Sequence, residues 1–350
     1  MAEITLELTP SSRFDVIDIS DRINEAHDGF QAKFRKAIYC SHHTTAGYYN
    51  QHFLSGLDHN SDSIRSYISN FQHMFPERAD YQHDQLHLRT ELTEEQKVDE
   101  PLNGDSHLTF IGSGLENCVT YFNSNTPVYF VDLDGMYRGH TRRRRTTILG
   151  YDNEACVETF KLPIPVSKHR IDSVNLRDPR HAFFEQLQER VVQHGIQRGR
   201  IDISLSAEEN QAALTVNEYE TLLMRHDLAE VLLNPMRFVA QKGWHMLKDP
   251  RAVPNKMLNY AKYDLVQVVN RALDKWNMGN SLVGRGLQHF LANHAARALR
   301  LRRSISLLVT SQNGAVPSIV CGTYQSPILV QWCQASNQTR EVEVRLIKFE

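Results

Sequence analysis

Histidine is the side chain that stands out in this sequence. The chain has 17 histidines, and several of them lie between His42 and His107. A neutral imidazole is the commonest transition-metal ligand, and histidine is the side chain that titrates closest to neutral pH. This density predicts that the N-terminal half carries the chemistry.

Three separated segments supply the candidate histidines. His43 lies in Ser-His-His-Thr-Thr-Ala-Gly at the end of a predicted strand, His83 in Tyr-Gln-His-Asp, and His107 in Asn-Gly-Asp-Ser-His. Such non-local spacing suits a catalytic metal with an open position for water or substrate. Asp84 and Asp105 are expected to orient the imidazoles from behind. The alternative is that these histidines are surface groups or hydrogen-bonded structural groups.

Hydroxyl groups and arginines accompany the first histidine segment. Thr44 and Thr45, with the backbone amides beside them, are expected to face an anion or a metal. A basic run covers residues 142–145, and on a strand Arg143 and Arg145 point to the same side. These arginines predict either phosphate binding by guanidinium groups or an edge strand protected by charge.

Composition restricts the class of protein. With 350 residues, of which 41% are hydrophobic and 23% charged, the chain is long enough for two globular domains. The formal charge of -2 gives no overall field toward nucleic acid or an anionic membrane. No apolar run approaches the roughly 20 residues of a membrane span, and the N-terminus lacks a signal-peptide layout. We expect a cytoplasmic protein with a small-molecule substrate and no nucleic-acid or membrane partner.

The pattern of apolar residues predicts an α+β fold with antiparallel strands. Pro163 and Pro165 predict a stiff connector at residues 162–165, which would divide the chain into domains 1–165 and 166–350. The five cysteines form no CxxC pair and are expected to be small buried hydrophobic residues. The predicted strands include residues 4–8, 37–40, 108–112, 128–133, 141–149, 200–205 and 341–347; the predicted helices are 61–75, 178–195, 220–233 and 256–276; residues 76–105 are predicted to form a long loop.

A weak internal repeat supports the division into two parts. The segment from His43 can be aligned with the segment from Glu209, and the strand from Pro127 with the strand from Pro327. The larger spacing between the two landmarks in the second part accommodates the helix at 256–276. The order of the matches predicts a tandem duplication.

The motifs together resemble the YjbQ family, whose members are also labelled secondary thiamine-phosphate synthases. They are HTTAG from His43, YQHD from Tyr81, NGDSHL from Asn103 and VDLDGMYRGHTRRRR from Val131. The resemblance covers residues 1 to about 155 and implies an oligomer of α+β subunits with a metal or active site at three histidines. It predicts two YjbQ-like domains, each an antiparallel β-sandwich with flanking helices, and a helical insertion in the second.

The second part departs from the family pattern in a complementary way. The family has Asn-Glu where this chain has Gln51 and His52, and the second part supplies Asn217 and Glu218 instead. It also supplies Gly-Thr-Tyr-Gln at residues 322–325, where the family has Gly-Thr-Trp-Gln. Glu209 and Arg297, in contrast, replace the first and third histidines. The second part therefore resembles a degenerate copy that acts as scaffold or as a wall of the first site.

The resemblance implies a metal-assisted enzyme that acts on a small phosphorylated or polar metabolite. Joining a pyrimidine diphosphate to a thiazole phosphate needs positive charge at the departing diphosphate, which a divalent Zn, Fe, Mn or Mg ion and arginines would supply. The alternatives are a different histidine- or metal-dependent hydrolase, lyase or isomerase, and a non-catalytic metal- or ligand-binding protein. His52 is either a further metal ligand or a surface residue at a helix start. The predicted catalytic residues are His43, His83, His107 and Asp105, the predicted metal ligands are His43, His83, His107 and His52, and the predicted cofactor-binding residues are Thr44, Thr45, Arg143 and Arg145.

Overall fold

The computed structural model describes residues 1–123, 126–233, 299–311 and 315–350. The described part is α+β with several antiparallel sheets, as predicted. It forms two compact units. Unit 1 comprises Met1–Gln51, Leu115–Tyr219 and Arg302–Glu350, and unit 2 comprises His52–Gly114 and Glu220–Leu301. Each unit therefore combines segments from both sides of residue 165.

The strands of the described part all belong to unit 1. They form an N-terminal strand set, β1 to β9, and a C-terminal strand set, β10 to β17. The strands are β1 Ala2–Leu8, β2 Asp15–Asp18, β3 Lys36–Ser41, β4 Ala46–Gly47, β5 Cys118–Phe122, β6 Tyr129–Asp132, β7 Met136–Tyr137, β8 His140–Thr141, β9 Arg144–Tyr151, β10 Glu154–Pro165, β11 Asp172–Asn175, β12 Arg198–Leu205, β13 Ala212–Asn217, β14 Ser304–Thr310, β15 Ser318–Ile319, β16 Ser326–Gln331 and β17 Thr339–Phe349.

The two strand sets repeat one strand order. In the N-terminal set, one sheet has the order β1-β9-β3-β5 and a second has β2-β6-β4. In the C-terminal set, the corresponding sheets have the orders β10-β17-β12-β14-β15 and β11-β16-β13. In each set the first strand pairs with the last strand, which in turn pairs with the third. The added strand at the edge, β15, is the only difference between these sheet orders in the described residues.

Burial explains why the main strands form where the apolar pattern predicts them. Ile4, Leu6 and Leu8 alternate with exposed residues along β1, which places one face of the strand in the core. Along β3, the residues after Lys36 are all buried, as expected for a strand covered on both faces. The arginine-rich strand β9 pairs with β1 on one side and β3 on the other. The edge-strand alternative for this segment is therefore wrong.

The connector predicted at residues 162–165 is also wrong. These residues form the end of β10, a strand of 12 residues that pairs with β17 along most of its length. Because β10 lies at the edge of its sheet, Pro163 and Pro165 remove no hydrogen bond that a second neighbour would need. Both prolines are exposed. The N-terminal strand set already ends at Tyr151.

The segment predicted as a strand at residues 108–112 is part of a helix. All ten residues of this helix are buried, polar ones included, and the short run at 108–112, taken alone, is compatible with a strand as well as with a helix. It ends at Gly114, whose φ of 76° is the left-handed conformation that closes many helices. The helices are α1 Ser20–Ala26, α2 Phe30–Lys33, α3 Gln51–Ser55, α4 Ser61–Met74, α5 Glu94–Asp99, α6 Gly104–Ser113, α7 Phe183–Gln193 and α8 Leu228–Leu233, with a π-helical turn at Leu223–Asp227 and 3-10 turns at Leu86–Leu88 and Pro179–His181.

The other helix predictions vary in their outcome. Helix α4 is confirmed, and the side chain of Asn60 accepts hydrogen bonds from backbone N–H groups of its first turn. The predicted loop at 76–105 is partly helical, because Thr93 and Gln96 form a capping box that starts α5. The helix predicted at 256–276 lies outside the described residues, as does Arg297. Among the described residues, no helix has both the length and the apolar character needed to cross a membrane.

One hydrophobic cluster of unit 1 joins the two strand sets. Its central contact is the stack of Tyr151 on Phe349, with ring centroids 3.9 Å apart and planes 8° from parallel. Cys40 and Cys118 are buried in this cluster, as predicted for them, whereas Cys156 is exposed. The buried residues of this cluster are Ile38, Cys40, Cys118, Leu149, Tyr151, Leu308, Ile347 and Phe349.

This packing predicts different costs for two phenylalanine substitutions. Phe349→Ala removes a ring that is only 2% exposed, and we expect the free energy of unfolding to fall by about 3 to 5 kcal/mol. Phe122→Ala is the matched control, since that ring is 64% exposed and its loss is expected to cost less than about 1 kcal/mol. Chemical denaturation measures both values. Equal costs would contradict the assignment of Phe349 to the core between the strand sets.

Candidate functional site

The first predicted histidine lies in a tight loop between β3 and β4. We call residues 41–47 the His43 loop. At its start the hydroxyl of Ser41 donates a hydrogen bond to the carbonyl of Ala46 at 2.7 Å. The N–H of Ser41 donates to the carbonyl of Asn117 at 2.7 Å, which continues the β3–β5 ladder into the loop. The loop is thereby closed at its base.

Side chains of the C-terminal strand set hold the carbonyl groups of the His43 loop. Gln325 donates through Nε2 to the carbonyls of Ser41 and His43, each at 2.9 Å. Asn217 donates through Nδ2 to the carbonyl of Thr44, also at 2.9 Å. Because buried carbonyl groups need hydrogen-bond partners, these two amides stabilise the conformation of the loop. Both belong to motifs that the second part keeps and the first part lacks.

Gly322 is required at the same contact for steric reasons. A Cβ atom at this position would lie 2.0 Å from the carbonyl oxygen of His42, which is far inside van der Waals contact. Only glycine allows the two backbones to come this close. The Gly-Thr-Tyr-Gln motif therefore serves to dock against the His43 loop within unit 1.

The imidazole of His43 is held in a neutral state. Its Nε2 atom accepts a hydrogen bond from the backbone N–H of Arg145 at 2.8 Å. Burial, followed by the positive charges of Arg144, His42, Arg142 and Arg145, lowers the pKa of His43 to about 3.

The neighbouring histidine is also held neutral. Burial, followed by the charge of Arg145, lowers the pKa of His42 to about 4. Its Nε2 atom lies 2.9 Å from the hydroxyl oxygen of Thr147. The loop therefore presents two uncharged imidazoles at neutral pH.

The arginine run has Arg143 and Arg145 exposed, Arg144 buried and Arg142 half-buried, and strand β9 begins only at Arg144. Arg144 is 2% exposed and contacts both carboxylate oxygens of Asp132, at 2.7 and 2.8 Å. Arg142 forms an ion pair with Asp134. Arg143 and Arg145 are exposed. The exposed pair is the most accessible to a ligand from solvent, and Arg142 is half-buried in its ion pair.

The two threonines of the loop play different parts. Thr45 is buried, and its hydroxyl oxygen lies 3.5 Å from the guanidinium of Arg144. Thr44 is half-buried, and its carbonyl accepts the bond from Asn217. Neither observation tests the predicted binding of a cofactor by their hydroxyls.

The C-terminal strand set contains a counterpart of the His43 contact. Ala212 pairs with Gln331 as Ala46 pairs with Asp132, which places Glu209 at the position of His43. The backbone N–H of Glu341 donates to Glu209 Oε1 at 3.1 Å, as Arg145 donates to His43.

The buried arginines of the two strand sets pair with carboxylates at different positions. Arg340 pairs with the carboxylate of Glu209, and its Nε lies 3.2 Å from the side-chain oxygen of Gln331. Arg144 of the N-terminal set pairs instead with Asp132. Each arginine thus has one carboxylate, which comes from the loop in one set and from the adjacent strand in the other.

Unit 2 brings two of the predicted histidines together. The rings of His83 and His107 have centroids 5.0 Å apart, and the side chains are 1% and 0% exposed. His83 Nδ1 lies 3.4 Å from Glu220 Oε2, and its Nε2 lies 3.1 Å from Asn103 Oδ1. His43 belongs to unit 1, and its convergence with this pair stays a prediction.

Asp227 and Glu220, two carboxylates of the second part, contact the segment that carries His83. Asp227 accepts hydrogen bonds from the backbone N–H groups of Gln82 and His83 at 2.8 and 2.9 Å. Burial raises the pKa of Asp227 to about 6, although these two bonds act in the opposite direction.

Glu220 keeps its charge in spite of its burial. Burial alone would raise the pKa of Glu220, but hydrogen bonds from His83 and from the backbone N–H groups of Leu222 and Leu223 leave it below its usual value. An ionised Glu220 beside His83 Nδ1 favours a proton on that nitrogen. Glu220 is thus placed to orient the imidazole.

The remaining predicted residues, Asp84, Asp105 and His52, have separate environments. Asp84 accepts the backbone N–H of Gly104 at 2.9 Å, at the start of α6, and burial raises the pKa of its carboxyl. Asp105 is buried in the first turn of α6. His52 is exposed on α3, which matches its interpretation as a surface residue at a helix start.

The arrangement does not fit a metal ion as it stands. Histidine ligands must direct lone pairs at one open position. The Nε2 of His43 already accepts a backbone N–H, and both ring nitrogens of His83 face side-chain oxygens. In the described ranges, no group of three or more histidine, cysteine, aspartate or glutamate side chains is arranged to hold a metal. Metal binding would therefore require these rings to turn.

Several residues of the two clusters were missed from the sequence. Glu220 directly precedes the helical segment and accepts hydrogen bonds from the backbone N–H groups of Leu222 and Leu223, whereas Asp227 ends the π-helical turn. Asp132 ends β6, and Asp134 follows it ahead of the arginine run. Acidic residues that border apolar segments were the available signal for both pairs.

The buried ion pair of the loop predicts a large effect for one arginine and a small effect for its neighbour. Arg144→Met leaves the fully buried carboxylate of Asp132 without its charge partner, and we expect the free energy of unfolding to fall by about 3 to 5 kcal/mol. Arg143→Met removes the same charge from an exposed position and is expected to cost less than about 0.5 kcal/mol. Urea denaturation of both variants measures the difference. A small cost for Arg144→Met would show that Asp132 is not buried beside it.

The lowered pKa of His42 predicts a pH-dependent loss of stability. Because its folded pKa of about 4 lies below the ordinary value of 6.5, the unfolded chain binds the proton first, and stability is complete only above pH 6.5. As the pH falls from 6.5 toward 4, wild type should lose stability relative to His42→Gln by up to about 1 kcal/mol per pH unit, since partial exposure reduces the full effect. Parallel stability curves for the two proteins over this range would contradict the assignment.

Comparisons with known proteins give similarity in solved structures. No family model matches the sequence. No curated protein matches it either. A crystal structure of a hypothetical protein from Aeropyrum pernix is similar over 55% of this chain and 99% of its own, with 15% identity and a TM-score of 0.32.

Two further solved structures carry family descriptions. One is a YbjQ-like protein of unknown function from Sulfolobus solfataricus, with 15% identity, coverage of 56% of this chain and 99% of its own, and a TM-score of 0.32. The other is an uncharacterised protein of the YjbQ family from Clostridium acetobutylicum, with 12% identity, coverage of 53% and 98%, and a TM-score of 0.28. Both of these proteins are described as having no established function.

Proposed function

We propose that the protein is an enzyme that acts on a small phosphorylated metabolite at the His43 loop. The observation that carries this proposal is the pair of neutral imidazoles, His42 and His43, beside the exposed guanidinium groups of Arg143 and Arg145. Burial is the main cause of their neutral state, and the positive charges that add to this effect also attract an anion. A phosphate group is a common metabolite anion that guanidinium groups bind through paired hydrogen bonds.

Binding of an anion would change the chemistry of the loop. A guanidinium nitrogen of Arg145 lies 3.5 Å from His42 Nδ1, so an anion held by Arg145 adds negative charge close to that ring. This charge opposes the effect of the arginines and makes proton uptake by the imidazole easier. A histidine whose pKa rises toward neutrality when substrate binds is suited to acid–base catalysis.

Acid–base catalysis by His42 requires no rearrangement of the hydrogen bonds that the structure shows at the loop. The metal-assisted form, and the thiamine-phosphate-synthase-like reaction, rest on the resemblance of the motifs and stay predictions. His83 with Glu220 in unit 2 is a second imidazole that a carboxylate orients. A role for His83 in the same reaction also stays a prediction.

The repeated strand order supports a proposal about the origin of the chain. We infer that the chain derives from a tandem duplication, whose two copies correspond to the N-terminal strand set, β1 to β9, and the C-terminal strand set, β10 to β17. The shared order of the sheets supports this inference, as does the common contact of His43 and Glu209 with the last strand of each set. In this view the second copy keeps Asn217, Gly322 and Gln325 because the first site needs them.

Phosphate binding tests the proposed function. Arg145→Ala removes an exposed guanidinium group beside the histidines, and we expect the affinity for inorganic pyrophosphate, measured by calorimetry, to fall about tenfold or more. Arg22→Ala is the matched control, because it removes an equal charge from an exposed position on α1 and should change the affinity less than about twofold.

Two results would decide against this proposal. Equal losses in the two variants would mean that pyrophosphate responds only to net charge. Binding that depends on Arg145, with no turnover in a screen of phosphorylated metabolites, would favour a ligand-binding protein over an enzyme.

A further inference from the structure

The hydrogen bond between Arg145 and His43 assigns the position of a proton. Arg145 contacts the loop through both of its backbone groups: its carbonyl accepts the N–H of His42 at 3.2 Å, and its N–H donates to His43 Nε2 at 2.8 Å. Arg145 is also in register with Glu7 of β1. The sheet therefore holds this backbone group, and the imidazole adapts to it.

A backbone N–H can only donate, so the nitrogen that it contacts must be the acceptor. A neutral imidazole has one nitrogen with a lone pair and one nitrogen with a hydrogen. With Nε2 of His43 as the acceptor, the hydrogen lies on Nδ1. An imidazolium ring would carry a hydrogen on both nitrogens and would oppose the N–H of Arg145. His43 is consequently a hydrogen-bond donor through Nδ1.

The C-terminal strand set provides an independent observation on the same contact. There Glu209 accepts the equivalent backbone N–H, from Glu341, through a carboxylate that has no hydrogen to donate. The second carboxylate oxygen of Glu209 pairs with Arg340. Both sets thus have a side chain that accepts the backbone N–H, whereas a side-chain N–H at this position belongs to His43 alone. In the N-terminal set Asp132 pairs with the buried Arg144. The loop position of His43 therefore does not need to carry a carboxylate and can hold an uncharged side chain.

We propose that His43 is a neutral hydrogen-bond donor that presents Nδ1–H to an oxygen of the bound anion, and that it acts neither as a metal ligand nor as a general base. This inference rests on the proposed function for the identity of the anion, a phosphate group. A donor of this kind stabilises negative charge as it develops on an oxygen and needs no change of its own protonation state. Its tautomer is determined by the backbone of β9.

The tautomer is measured directly by nuclear magnetic resonance. In full-length protein labelled with ¹⁵N-histidine at pH 7, His43→Gln identifies the signals of His43. We expect Nδ1 to carry the hydrogen and Nε2 to have the chemical shift of an unprotonated nitrogen. A hydrogen on Nε2, or on both nitrogens, would overturn the proposal, and this result does not depend on whether any phosphate binds.

The role of the donor is measured with two substitutions of equal size. His43→Gln offers an amide oxygen to the N–H of Arg145 and an amide N–H₂ to the ligand, and the contact of Glu209 shows that a side chain of this length reaches the backbone. His43→Glu offers oxygens alone. We expect His43→Gln to bind inorganic pyrophosphate within about threefold of wild type, and His43→Glu to bind about tenfold or more weakly.

Salt separates the loss of the donor from simple charge repulsion. Repulsion by the new carboxylate is screened as ionic strength rises, whereas the loss of a hydrogen bond is not. The difference between the two variants should therefore persist at 0.5 M salt, about the range where exposed charges are strongly screened. A difference that disappears there, or equal weakening in both variants while both unfold at the wild-type temperature, would overturn the donor role. Failure of wild type to bind pyrophosphate would contradict the proposed function, and the tautomer measurement would still decide the state of His43.

Discussion

The conformation of the His43 loop depends on hydrogen bonds that its own strand set does not provide. Three carbonyl groups of the loop, those of Ser41, His43 and Thr44, accept amide hydrogens from Gln325 and Asn217, and that of His43 also accepts one from Asn117 of the N-terminal part. A buried carbonyl without a partner costs roughly 1 to 3 kcal/mol, so together these bonds are large enough to determine the path of a short loop. The C-terminal strand set therefore stabilises the conformation of the loop that carries His42 and His43.

The two strand sets show how one buried guanidinium constrains a neighbouring site. Arg144 and Arg340 each need a carboxylate, because an unpaired buried charge is strongly destabilising. Glu209 supplies it from the loop in one set, and Asp132 supplies it from a strand in the other. Moving the carboxylate from the loop to the strand leaves the loop position open to an imidazole. The position that differs between the sets is thus the one where chemistry is expected.

The elements that sequence patterns predicted well have a clear difference between their two faces. Strand β1 and helix α4 each bury one side and expose the other, and both form where their periodicity indicates. Helix α6 is buried on all sides, polar residues included, and the short run at 108–112 within it is compatible with a strand when its sequence is considered alone. The prolines at the end of β10 were interpreted as a connector because the sequence does not reveal that this strand lies at a sheet edge.

The sequence by itself determined which side chains are available: the His43 segment, the alternating arginines, and the complementary motifs in the second part. It also determined the α+β class, because apolar periodicity is a local property. Only the tertiary structure decided the state of those side chains. The proton of His43 depends on a backbone N–H about a hundred positions further along the chain, and the orientation of His83 depends on Glu220, which is more distant still. Hydrogen bonds and pKa values depend on distance in space, and residues far apart in the sequence become neighbours only when the sheets and helices pack.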